Sequence, residues 1–139
     1  MSVFGRDCDE DNRIIKSLCY QGVVEGYAGN TIVFQFNWAS KSSTNPPVIT
    51  PIDLTGWTAI MDFKLKATDV TPLLTLTSAL NGGIVLNGSP DNIVTTLTPT
   101  QSLSLGVGKF VTDLKLTDTN GNVYTKASMQ YVLLQTVTA

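Results

Sequence analysis

Histidine is absent from this chain of 139 residues. That absence removes His-based triads, most zinc enzymes and the commonest side-chain proton shuttle together. Cysteine is nearly absent as well, with Cys8 and Cys19 the only two. Their spacing is not that of a metal-binding pair, and two sulfurs are too few for a structural zinc site. Free thiols are the expectation, with a Cys8–Cys19 disulfide as the alternative. Charged residues make up only 14% of the chain, and a net charge of −2 leaves no basic footprint for nucleic acid. No apolar run approaches the ~18 residues that would suggest a membrane span. The N-terminus carries Arg6, Asp7, Asp9, Glu10, Asp11 and Arg13 where a secretion signal would need an apolar stretch. The expectation is a chain that folds in a cytoplasm without membrane or nucleic-acid partners.

What is present is enough for a core. Hydrophobic residues form 42% of the sequence, which argues against disorder, and the length suits one domain. Residues 1–19 stand apart as an arm. Seven of the 20 charged residues lie between Arg6 and Lys16, and both arginines of the chain are there. Phe4, Ile14 and Ile15 supply apolar anchors without a long periodic face. The sharper reading is an assembly arm, in which Phe4, Arg6, Arg13, Ile14 and Ile15 contact a partner; the blander one is a frayed terminus.

Residues 20–139 read as β. Ile32, Phe34, Phe36 and Trp38 alternate with polar or smaller neighbours, and period two marks a half-buried strand. The segment 57–66 repeats the pattern with Trp57, Ala59, Met61, Phe63 and Leu65 on one face, and 109–117 does so with Phe110, Thr112, Leu114 and Leu116. Shorter strands are expected at 73–77, 84–86 and 93–98, and a long one at 123–137. The 19 threonines suit the wet face of a sheet. Asn81-Gly82-Gly83, Asn87-Gly88 and Asp118–Asn122 supply turns, and Lys41–Pro51 reads as an extended polar loop. Thr98-Pro99 predicts a helix start, ended by Gly106 after about one turn. The sum is an all-β, antiparallel, Ig-like β-sandwich of some seven strands with an extended N-terminal arm.

The sequence offers little chemistry. No serine sits in a nucleophile elbow. Asp53, Asp62, Asp91, Asp113 and Asp118 are scattered singly and read as turn or solvated residues. The Asp118–Asn122 segment resembles a calcium loop only faintly, because Lys126 and Gln130 stand where an acidic ligand is needed. Gly106-Val107-Gly108-Lys109 fails as a phosphate loop, with Leu103 and Phe110 at the required glycine and hydroxyl positions. The chain is therefore expected to be non-enzymatic, with no catalytic residue, cofactor or metal.

One string carries a family resemblance: Ile52-Asp53-Leu54-Thr55-Gly56-Trp57-Thr58-Ala59-Ile60-Met61-Asp62-Phe63. With the flanking Gly29-Asn30-Thr31, the 93–105 stretch and the run Gly108 to Asp118, it resembles a family of small phage and prophage proteins of the tail, baseplate or fibre region. The likeness spans residues 28–138 and extends to the N-terminal domain of phage upper baseplate proteins. Two departures stand out: the arm of about 20 residues, and Phe110 and Thr112 in place of the usual aromatics. The resemblance implies a virion structural protein, present in several copies or as a homo-oligomer, whose partners are other tail, baseplate or fibre components. Two other readings stay open. One is a capsid decoration or head-fibre protein. The other is a receptor- or carbohydrate-binding module using Tyr20, Tyr27 and Tyr124.

Overall fold

A computed structural model describes residues 20–41, 44–46, 48–88 and 91–137. Among the described residues the strands are β1 (Tyr20–Tyr27), β2 (Ile32–Phe36), β3 (Ala39–Lys41), β4 (Ile49–Pro51), β5 (Thr58–Lys64), β6 (Leu74–Thr77), β7 (Ile84–Leu86), β8 (Ile93–Leu97), β9 (Gly108–Thr117) and β10 (Val123–Leu134), with one helix, α1 (Pro99–Leu105). They form a five-stranded sheet ordered β1-β10-β9-β5-β6, a three-stranded sheet ordered β2-β8-β7, and a β3-β4 ribbon. The fold is an all-β sandwich. Its pairings are antiparallel except for β1, which lies parallel to β10 at the edge of the larger sheet.

Period-two alternation decides which side of each strand is dry. Ala59, Met61 and Phe63 of β5, Phe110, Leu114 and Leu116 of β9, and Met129, Tyr131 and Leu133 of β10 point inward and are buried. Ile32, Ile84, Ile93 and Leu97 of the smaller sheet meet them in one continuous core. Phe63 and Tyr131 cross edge to face with centroids 4.9 Å apart, a geometry that adds to the burial of two large rings.

The structure departs from several sequence expectations. Leu65 does not continue the buried face of β5; it is exposed, because the strand stops at Lys64 and Asp69 caps the following turn at the Lys66 amide. The last strand ends at Leu134, short of Val137. The 41–51 loop begins and ends in strand, since it connects β3 to β4 as a ribbon whose three-residue strands are too short to show periodicity. β1 carries no clear strand pattern in the sequence: its inward positions include Gly22 and Gly26, which look locally like turn residues. The glycine at 26 has a packing reason. A Cβ there would lie 2.6 Å from Ile32 Cδ1, so the side chain of β2 occupies the space that any larger residue would need. The helix runs about two turns rather than one. Thr98 and Gln101 form a reciprocal capping box, with Pro99 at the first helical position.

Candidate interaction surface

The two sides of the sandwich differ. On the β6–β7 side, Thr77 N–H donates to Gly82 O and a parallel bridge joins Thr77 to Gly83, so a connection between the sheets covers the margin. On the other side, β1 and β2 are the outer strands of their sheets and, among the described residues, are joined only by the tight turn at 27–31. This open margin is also where residues 1–19 enter the fold, since Tyr20 begins β1. The arm and its contact residues Phe4, Arg6, Arg13, Ile14 and Ile15 lie outside the described residues, as do Cys8 and Cys19.

The outer face of the five-stranded sheet forms a shallow depression of about 700 Å³. At its centre Asp62 of β5 lies directly opposite Asp113 of β9. Like charges in that relation repel. Lys64 and Lys115 stand on the two diagonals, facing Val111 and Ile60, and supply compensating charge. Thr75 donates to Asp62 at 2.7 Å from the neighbouring β6. Among the described residues, no group of three or more acidic, cysteine or histidine side chains comes together to hold a metal.

The ends of the sandwich are built by polar side chains that hold backbone. At one end Asp53 accepts from the Thr55 amide (3.0 Å) and hydroxyl (2.6 Å), and these bonds hold its carboxyl below the usual carboxylate range. Asn87, itself at φ 61, accepts from the Leu54 amide and donates to Asp53 and Thr55, tying two loops together. Gly56 at φ 81 allows the tight turn that follows. Next to this turn, Asn92 is 2% exposed; its Oδ1 accepts from Trp38 N–H, and its Nδ2 donates to Trp38 O and Ile52 O. The faint calcium-loop segment is a turn: Asp118 accepts from the amides of Asn120 and Asn122 and from Tyr124 Oη. The donors lower its pKa against an opposing effect of burial, which is the largest single influence.

Two residues at this end are not where the sequence pattern puts them. Asp91, expected to be a solvated turn residue, is buried, as is Lys126. Lys126 marks the register shift in β10, and its Nζ sits 4.3 Å from the centroid of Trp38. Burial lowers its pKa to about 8. Trp38 meets Trp57 edge to face at 5.4 Å, and Trp57 stacks on Tyr124 at 5.9 Å. Tyr124 is thus committed to an aromatic ladder, while Tyr27 remains exposed. No sequence signal short of locating the β10 bulge would have put Lys126 inside.

At the opposite end Ser102 of α1 is fully buried and pins the helix to the 27–31 turn, accepting from Gly29 N–H and donating to Asn30 O. No family model matches this sequence, and no curated protein is significantly similar to it.

Proposed function

We propose that this chain is a non-enzymatic structural component of a tailed-phage virion, a tail or baseplate adaptor that attaches fibres or receptor-binding parts to the tail. The observation that carries the reading is the fate of the most distinctive residues. In the string 52–63, Asp53, Leu54, Thr55 and Gly56 build a turn stapled to Asn87, Trp57 joins the Trp38 ladder, and Ala59, Met61 and Phe63 fill the core. These residues make rigid loops and a packed interior. A surface held by such loops serves recognition by shape and strand edges, without turnover. The charged arm that leads into β1 suits docking to other virion proteins in several copies.

The test is removal of residues 1–19. The shortened chain is expected to keep a β-rich circular dichroism spectrum and to disappear from purified particles. Incorporation at the full-length level would defeat the role of Phe4, Arg6, Arg13, Ile14 and Ile15, and a particle lacking the full-length chain altogether would defeat the virion assignment.

A further inference from the structure

We infer that the outer edge of β1 pairs, antiparallel and across a two-fold axis, with the same edge of a second copy of this chain. The backbone decides which groups are free. Ala28 N–H donates to Leu134 O, and Tyr27 stands in register with Leu134 in a parallel pair. The even-numbered residues of β1 therefore bond to β10, and the odd-numbered ones turn their N–H and C=O groups to the open side. Tyr27 O is taken by Asn30 N–H in the turn. Gln21, Val23 and Glu25 are left presenting donors and acceptors along the margin, with no strand beside them among the described residues.

Natural edge strands are blunted by proline, inward or clustered charge, bulges or brevity. β1 has eight residues, no register shift, no proline and no basic residue; Glu25 is its only charge. The other outer strands of the two sheets are shorter: β2 has five residues, β6 has four and is tied at Thr77 to Gly82 and Gly83, and β7 has three.

Pairing β1 with a copy of itself uses the free groups completely in one register. With Val23 on the axis, Val23 faces Val23 and position 21 faces Glu25, so every edge-facing group of the three residues finds a partner. Moving the axis to Val24 would call on the committed Tyr27 carbonyl. Moving it to Glu25 would set two carboxylates against each other. Because a two-fold pairing uses the same edge of both copies, the assembly closes at two and does not grow as a fibre.

The test is sedimentation equilibrium of the full-length chain at micromolar to millimolar concentration, alone and as variants. The chain is expected to form a dimer, with the Val23 and Glu25 amides protected from hydrogen exchange at high concentration. Val23→Pro removes only an N–H that faces the margin. Val23→Glu places like charges on the axis at a side chain that is 55% exposed. Both are expected to be monomeric with unchanged β-rich spectra, whereas Val85→Lys on the far side leaves the dimer intact. Should Val23→Pro fail to fold, Val23→Glu decides alone. A monomer at every concentration, a stoichiometry other than two, or a dimer that survives Val23→Glu overturns the pairing. None of these outcomes bears on the virion reading, which the arm deletion tests separately.

Discussion

At the Trp38 end of the sandwich a buried amide, that of Asn92, is fully partnered, although the neighbouring Asn37 Oδ1 is not; midway along β9 a buried hydroxyl has no partner. Asn92 is 2% exposed, and its amide satisfies three backbone groups belonging to Trp38 and Ile52. Thr112 is 4% exposed on the inward face of β9, and its Oγ1 has no hydrogen-bond partner. The loops entering and leaving the β3-β4 ribbon satisfy one another only in part, through Ile52 N–H and Trp38 O, so a side chain supplies the rest. The middle of the sheet has a complete ladder already and nothing to offer a hydroxyl. The same class of buried atom is therefore structural in one region and a cost in the other.

That contrast is broken most forcefully at Asn92. Leucine there would leave the Trp38 N–H and the Ile52 O desolvated and unpaired and strip Trp38 O of one of its two donors, the other being Ile52 N–H, and the expected loss is about 3 kcal/mol of unfolding free energy. Urea unfolding followed by tryptophan fluorescence measures it directly, since Trp38 sits at the site. A loss below about 1 kcal/mol would mean that water replaces the amide, and the region would then resemble an ordinary loop.

Lys126 lies beside the same tryptophan and sharpens the comparison, because its cost depends on pH. Burial lowers its pKa from 10.5 to about 8. Below pH 8 the group is protonated in both folded and unfolded chains, and the burial penalty is fully present. Between about 8 and 10.5 the folded chain releases its proton first, the unfolded state binds more protons, and stability rises with pH. Each pH unit in that window is worth at most ~1.4 kcal/mol. Solvent screening of the ammonium reduces the total gain to the order of 1–2 kcal/mol. The measurement is the difference in unfolding free energy between the native chain and Lys126→Met at several pH values, which cancels the titration of tyrosines. A difference that stays constant from pH 7 to 10.5 would show that the ammonium is better solvated than its burial implies.

How much of this was legible in the sequence depends on the range of the interaction. The inward faces of β5, β9 and β10 could be read from alternation alone, because a strand's own pleat fixes them. The capping box at Thr98 and the Asp118 turn were equally local, closing over three or four residues. The staples between Asn87 and Asp53 and between Asn92 and Trp38 join residues 34 and 54 positions apart, and no local pattern announces them. β1 was hidden because its glycines fit under Ile32, a neighbour in the opposite sheet. Its parallel pairing with β10 joins the two ends of the described chain. The open margin formed by β1 and β2 was therefore invisible as a place, although the arm leading to it stood out by charge.

The smallest effect isolates the contrast to one hydroxyl. Thr95 of β8 and Thr112 of β9 are both buried threonines on inward strand faces. Thr95 Oγ1 donates to Phe34 O at 2.9 Å, across the smaller sheet, while Thr112 Oγ1 meets nothing. Valine keeps the shape and replaces the hydroxyl by a methyl group. Thr95→Val is expected to cost about 1 kcal/mol, the net value of a made hydrogen bond, and Thr112→Val to gain a similar amount by removing a desolvated donor. Thermal unfolding of the two variants side by side reads the sign as well as the size. If both fall, the Thr112 site is too tight for a methyl group on that branch, and packing rather than hydrogen bonding governs the middle of the sheet. If Thr112→Val rises while Thr95→Val falls, the core carries one polar atom that its fold does not require, at a position facing Phe63 and Met129 across the two neighbouring strands.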